Sequence, residues 1–283
     1  MQKSQVSLTV LLPSSFLADA DNLQHKTIKA GTIGRASAIF RVERLVVYND
    51  DDQRVSNQTA EAKLLSMLLQ YMEAPQYLRK TFFPMRSELR YAGLLPPLRT
   101  PHHPLENEKA KQGDYREAAV LSSSGDRSIL ELGLPEKGLL NKKLKAGERV
   151  TVRLGERVGN GIKVELVPKV EIEEYWGYEV RFAKNLAEGL KEANADYVIG
   201  TSRHGQNLYE AVNAIKSSNP SSIAVVFGGP YAGLPEICKR QGIDAKALFD
   251  VVVNTIPNQG TATVRTEEAL IATLALLNVL LGG

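Results

Sequence analysis

Three stretches of this sequence decide its fold: ADYVIGTSRHG (195–205), IAVVFGGPYAGL (223–234) and VVVNTIPNQGTATVRTEEA (251–269). Each opens with an aliphatic run of strand length and then breaks into a loop of glycine and polar residues. Helical stretches at 208–217 and 235–241 separate them, and a further helix at 266–281 closes the chain. Strands alternating with helices predict a parallel sheet covered on both faces. Ligands of such sheets bind outside the carboxyl ends of the strands. Any one of these loops could be an ordinary tight turn; three at consecutive strand ends mark a candidate site.

The same pattern occurs at the amino-terminal end. Residues 6–12 predict a strand, followed at Pro13-Ser14-Ser15 by a turn with a helix-capping serine. Lys3, the apolar run and Ala18-Asp19-Ala20 also permit a weak signal peptide, but Ser7 and Thr9 interrupt the run and Pro13 stops it, which favours the strand. RVERLVVY (41–48) predicts a second buried strand, residues 49–52 a solvated acidic loop, and residues 59–71 and 178–191 helices. Residues 74–104 form a proline-rich connector carrying Arg79, Lys80, Arg86, Arg90 and Arg99 against one acid, Glu88. From 114 to 169, short strand-like runs alternate with turn signals at Gly125, Gly138, Gly147 and Asn160-Gly161. Nothing helical interrupts them, which predicts a small barrel of the OB or S1-like kind. The domain reading is an α/β domain in two pieces, 1–92 and 171–283, interrupted by an OB-like barrel domain at 93–170.

Composition narrows the function classes. The chain has 283 residues, 43% hydrophobic and 24% charged, enough for two domains and a core without covalent staples. One cysteine, Cys238, excludes an internal disulfide framework and clustered thiolates on zinc, and suits a reducing compartment. No apolar run reaches the roughly 18–20 residues of a membrane span. The net charge of +3 does not identify a nucleic-acid partner by itself; its concentration in the connector says more. A dinucleotide fingerprint read from Gly228 fails at Pro230, and no Gly-Lys-Ser/Thr ends a phosphate loop. A nucleophile elbow read from Gly200 fails at His204. Dehydrogenase, NTPase and serine hydrolase readings are thereby weakened.

The segments YWGYEVRFAKNLAEGL (175–190), GTSRHG (200–205), VVFGGPYAGL (225–234) and NTIPNQGTATVRTEEALIATLALLN (254–278) resemble the knotted SPOUT RNA methyltransferases. The resemblance is to the archaeal and eukaryotic branch with an OB-like insertion. GRASAIFRVERLVVY (34–48), PQYLRKTFFP (75–84) and YAGLLPPLRTPHH (91–103) carry it toward the amino terminus. It implies a trefoil-knotted carboxy-terminal region, a homodimer, S-adenosylmethionine bound bent in the knot, and an RNA substrate. In eukaryotic members that substrate is a uridine of large-subunit ribosomal RNA, so uridine N3 is the expected acceptor. It also implies a cytoplasmic protein if the source is archaeal, and a nuclear or nucleolar one if eukaryotic. One departure is plain: the family usually has Glu-Arg after Gly-Thr-Ser, where this chain has Arg203-His204.

Against that background the expected cofactor residues are Thr201, Gly228, Gly229, Gly233, Leu234, Asn254, Thr255, Ile256, Pro257, Gln259 and Gly260. Ile256 and Pro257 would offer an apolar slot for adenine, Leu234 would close one side, and the glycines would admit ribose and methionine. No metal is needed, because a sulfonium is already a strong electrophile. Methylating uridine N3 requires loss of its proton, with a base or an oxyanion stabiliser. Arg35, in a region resembling the family's Gly-x-x-x-Arg, and Arg265 are the catalytic candidates; Asn258 and Gln259 could bond a base edge. A salt bridge or helix cap is an equal account of Arg35, and pairing with Glu267 or Glu268 a slightly weaker account of Arg265. Arg79, Lys80, Arg86 and Arg90 are the expected RNA contacts.

Several features take plainer readings. His102-His103 with Glu106 suits a basic loop better than a metal site, Cys238 a packed core, and Glu267-Glu268 a helix start. Trp176 suits an anchor of the barrel better than a stacking platform. The closing helix, apolar on most sides, suits a C2 dimer face, with Arg35 of one copy reaching the cofactor loop of the other. Two functions remain: an S-adenosylmethionine-dependent RNA methyltransferase without metal or membrane association, or an RNA-binding scaffold that keeps the fold without turnover. Binding of the cofactor separates them.

Overall fold

The computed structural model describes residues 6–104 and 109–281. In chain order its elements begin with β1 (Ser7–Pro13), α1 (Leu23–Ile39), β2 (Arg44–Tyr48), α2 (Gln58–Glu73) and the single turn α3 (Arg79–Phe82). Five strands follow: β3 (Tyr115–Ser124), β4 (Arg127–Glu131), β5 (Lys137–Leu140), β6 (Arg149–Val158) and β7 (Gly161–Leu166). The α/β alternation then resumes with β8 (Glu179–Ala183), α4 (Leu186–Ala193), β9 (Tyr197–Asn207), α5 (Leu208–Ser218) and β10 (Ser222–Val226). It ends with α6 (Leu234–Arg240), α7 (Ala245–Leu248), β11 (Val251–Asn254) and α8 (Thr266–Leu281).

Two compact units result. The first takes the described residues up to Gln70, Arg90–Pro96, and those from Tyr178 onward. Its six strands run parallel in the order β11-β9-β10-β1-β2-β8, so the two ends of the chain share one sheet. The central strands are covered on both faces, which is why they read as unbroken aliphatic runs: Val10, Leu11, Leu12, Val46, Val47, Val225 and Val226 are fully buried. Tyr48 ends β2 inside this core and donates its hydroxyl to the Phe227 carbonyl at 2.6 Å.

Residues 178–191, expected as one helix, divide. Glu179–Ala183 pairs with β2 as an edge strand, and Asn185 starts α4 by accepting the Glu188 amide at 2.8 Å. The alternation E-V-R-F-A is strand-like, and a local cap, not helical period, decides where the helix begins. The acidic loop at 49–52 is not solvated throughout: Asp50 is fully buried and Asp52 nearly so, the latter paired with Arg240 at 2.9 Å.

The second unit, Tyr71–Leu89 with Pro97–Gly177, contains a closed barrel in the order β3-β4-β5-β7-β6, with β5 and β7 parallel. Ala118, Val120, Leu130, Val152, Leu154 and Ile162 fill it. Two expected turns are misplaced: Gly138 lies inside β5, and the left-handed residue of the β6–β7 turn is Gly159 at φ +57°, not Gly161. Gly161 starts β7, where a Cβ would meet Leu139 at 2.7 Å.

Beneath the barrel strands lies a buried polar network. Glu73 accepts both terminal nitrogens of Arg149, at 2.5 and 3.1 Å. Glu117 accepts Arg149 Nε at 2.6 Å, Thr151 Oγ1 at 2.7 Å and Trp176 Nε1 at 2.7 Å. His102 and His103 both hydrogen-bond the Glu73 carbonyl through Nε2, at 3.0 and 2.7 Å. These two histidines and Trp176 are therefore structural in this unit; Glu106 lies outside the described residues.

Candidate functional site

The three glycine-bearing loops meet at the carboxyl edge of the parallel sheet. Strand β9 was expected to stop at Gly200, but it continues to Asn207, whose side chain accepts the Tyr209 amide and starts α5. Pairing with β11 jumps from Gly200↔Val252 to Gln206↔Val253, so residues 201–205 project from the ladder. The chain re-enters beside β11 so closely that a Cβ on Gly205 would lie 2.5 Å from the Val253 carbonyl carbon. Only glycine can occupy that position.

Side chains then join the loops. Thr201 Oγ1 donates to the Val226 carbonyl at 2.9 Å, tying the projecting loop to β10. Asn254 Nδ2 donates to the Arg203 carbonyl at 2.9 Å while its Oδ1 accepts the Ile256 amide at 2.9 Å. Arg203 reaches the Ala262 carbonyl at 3.3 Å and the His204 ring at 3.1 Å, so the pair that departs from the SPOUT pattern cross-links two loops. Gln259 bonds the Thr261 carbonyl, and Thr255 bonds Thr273 of α8, each at 2.9 Å. Thr266 Oγ1 donates to the Gly228 carbonyl at 3.0 Å. Thr201, Gly228, Asn254, Thr255, Ile256 and Gln259 are thus brought together, with Pro257 exposed beside them.

The glycines serve the loop more than its access. In 227–234, the Gly229 amide closes a turn onto Ala232 at 2.8 Å. A Cβ on Gly228 would meet Gly233 Cα, the Ala232 carbonyl and the Leu234 amide at 3.0–3.2 Å, and one on Gly233 would meet Glu236 at 3.0 Å. A Cβ on Gly229 would press Ser15 Oγ at 2.6 Å. Of the expected cofactor glycines, Gly260 alone would let a side chain enter open space. Leu234 is buried in the core with Cys238.

Under Gly229 lies a group the sequence reading missed. Asp50 Oδ1 accepts Ser14 Oγ at 3.0 Å and the Ser15 amide at 3.1 Å, and Oδ2 accepts Ser15 Oγ at 2.7 Å. Both serines are fully buried and serve this carboxylate instead of capping a helix. Burial pushes the Asp50 carboxyl above its usual range, opposed by the serine hydrogen bonds. Its position directly after a central strand was the signal; the run of acids disguised it.

The candidate cations fall at different places. Arg265 is exposed just before α8, and its amide is accepted by Glu268 at 2.9 Å. Arg35 is half-buried on α1, twelve residues beyond Leu23 and so about 18 Å along the helix. Gly31, one turn earlier, is packed where a Cβ would strike Pro96 at 2.8 Å. The basic residue that α1 brings to α8 is Lys29, which bonds Asp19, lies 3.6 Å from Glu267 and sits 4.7 Å above the Phe16 ring. Arg79 bonds the Ala74 and Met72 carbonyls at 3.1 and 3.3 Å and stacks on Tyr71, capping the end of α2. Lys80, Arg86 and Arg90 are exposed.

Comparison with known proteins assigns the chain. Residues 7–277 match the family described as "Putative RNA methyltransferase". A human protein named 28S rRNA (uridine-N(3))-methyltransferase is 36% identical over 298 residues, covering 96% of this chain and 77% of that protein. Its Drosophila melanogaster counterpart by name is 34% identical over 303 residues; the match spans 96% of this chain and 61% of the fly protein. An uncharacterized protein of Halobacterium salinarum is 33% identical over 289 residues, with 96% and 98% covered. A match over nearly the whole chain, with both compact units inside it, means that this protein belongs to that RNA methyltransferase family.

Proposed function

We propose that the protein transfers the methyl group of S-adenosylmethionine to N3 of a uridine in large-subunit ribosomal RNA. The observation that carries this reading is the joining of three strand-end loops through Thr201, Asn254, Arg203 and Thr266 at one edge of the sheet. The names of the human and fly relatives support the RNA and the atom. The residues present suit the cofactor: half-buried Ile256 beside Pro257 for adenine, backbone groups of 227–234 and 254–260 for its polar parts, and a buried carboxylate beneath.

When bound, S-adenosylmethionine supplies the electrophilic methyl carbon. The protein's work is to hold uridine N3 in line with it and to favour loss of the N3 proton. Exposed Arg265 beside the loops would stabilise negative charge on the uracil oxygens. Arg35, about 18 Å along its own helix from Leu23, would act from a second copy of the chain. Ile271, Leu276 and Val279 remain 41%, 39% and 75% exposed on α8, which supports a dimer face there. A trefoil knot in this carboxy-terminal region is part of this reading, as the family resemblance implies. The barrel order, closed through β3 and β6 with β5 and β7 parallel, supports an OB-like fold. Exposed Lys80 and Arg86 would contact RNA phosphates from the second unit.

The deciding experiment is mass spectrometry of ribosomal RNA nucleosides from cells with and without the protein. Loss of 3-methyluridine, restored by the wild-type chain, is expected; an unchanged nucleoside profile would overturn the substrate assignment.

A further inference from the structure

Asp50 is unlike the other buried acids of this protein. Glu73 faces Arg149 and His102, Glu117 faces Arg149, and Asp52 faces Arg240. Around Asp50, among the described residues, only hydroxyl and amide donors occur: Ser14 Oγ, Ser15 Oγ and the Ser15 amide. With all three donating, both oxygens accept, and these bonds support the carboxylate form against the burial that raises its pKa. As a carboxylate, fully buried Asp50 has no cation within ion-pair distance among the described residues, so its charge is not neutralised by any of them. That charge lies under the glycine loop: a Cβ built on Gly229 would be 3.5 Å from Asp50 Oδ2.

We infer that Asp50 is a specificity residue whose charge favours the cationic sulfonium of S-adenosylmethionine over the neutral thioether of the product, S-adenosylhomocysteine. The inference rests on the cofactor reading above and deepens it. The two ligands differ by one methyl group and one positive charge at sulfur. A fixed negative charge near that sulfur separates their affinities, and the loss of charge on transfer weakens the hold on the spent cofactor. Hydroxyl and amide donors suit this role better than a lysine or arginine would, because they stabilise the carboxylate without cancelling its charge.

Calorimetry of the full-length protein with each ligand tests this. Asp50→Asn keeps the size and removes the charge. It should weaken S-adenosylmethionine binding while changing S-adenosylhomocysteine binding far less, so the ratio of affinities falls by about tenfold. Ser14→Ala, which keeps the charge and removes one hydrogen bond, should leave the ratio unchanged. If the asparagine variant does not fold, Asp50→Ser is read by the same ratio. Equal loss of both ligands in the neutral variant would overturn the inference and reduce Asp50 to a clamp on the Ser14–Ser15 turn. A wild-type chain that binds neither ligand would overturn the cofactor reading itself, a separate result.

Discussion

Gly229→Ala tests the packing beneath the 227–234 loop. Gly229 is outside the left-handed backbone region, so alanine brings no conformational strain and would by itself stabilise by about 0.4–1 kcal/mol through the unfolded chain. The new Cβ, however, would lie 2.6 Å from Ser15 Oγ, which donates a 2.7 Å bond to Asp50. Relief requires Ser15 to rotate away, and a charge-assisted bond worth about 1.5–3 kcal/mol is lost. Ser15→Ala loses the same bond and also removes the clashing oxygen. The double variant should therefore be no less stable than Ser15→Ala alone, with a coupling of about 1.5–3 kcal/mol in its favour. Gly228→Ala is the control, because its Cβ would meet backbone of residues 232–234 and Ser15→Ala cannot rescue it. Native-state hydrogen exchange at the buried amides of β1 and β10 reads the first unit separately from the barrel. Costs that add to within about 0.5 kcal/mol would refute the contact.

Arg79→Ala should lower thermal stability, by about 1–3 kcal/mol for its two carbonyl bonds, without altering the salt dependence of RNA binding. Lys80→Ala and Arg86→Ala should do the reverse, each reducing the log–log salt slope by ~0.7; an unchanged slope would remove them from the RNA surface. The second unit should weaken in acid. Burial, aided by the neighbouring His102, lowers His103 from 6.5 to about 4, so the unfolded chain binds its proton first and stability is lost as pH falls from 6.5 toward 4. Glu73 adds to this below the ordinary carboxylate range: burial opposes its ionisation, but the His102 hydrogen bond and Arg149 hold its pKa well down. Melting followed by the single Trp176, buried in that unit, should give a midpoint that falls between pH 7 and 5; a constant midpoint would contradict it. Light scattering should give twice the 31.1 kDa chain mass, and Val279→Asp should reduce it to one; a wild-type monomer would remove the dimer face.

The fold was legible wherever burial was two-sided and turns were local. IAVVF and RLVVY have no polar alternation because both faces of their strands are covered, so they announce a central parallel sheet. The barrel was legible because its inward positions alternate and its turns recur. Boundaries failed where one residue outweighed period. Asn185 begins α4 through its own side chain, which an amphipathic reading of 178–191 passes over. Gly138 looks like a turn but lies inside a strand, where a Cβ would come within 3.1 Å of Leu130. Glycine frequency cannot distinguish freedom of φ from lack of room.

The site was legible by position and illegible by pairing, and the difference is physical. That three loops converge follows from strand direction alone, so the meeting of the loops carrying Thr201, Gly228 and Asn254 could be anticipated without coordinates. Which side chains face one another depends on contacts distant in sequence, as Ser15 to Asp50 and Thr266 to Gly228 show. The acidic run at 49–52 carries formal charge that suggests water, yet the sheet buries two of its acids and compensates each differently: Asp52 by a guanidinium, Asp50 by donors that leave its charge in place. Arg79, a cation in a basic connector that suggests RNA, also bonds two backbone carbonyls that sequence cannot show. In this protein a charge therefore indicates a ligand only after its own neighbours have been counted. On that criterion Asp50 and exposed Arg265 stay as the proposed cofactor and uracil residues, while Lys29, Arg79, Asp52 and Glu73 have partners within the protein.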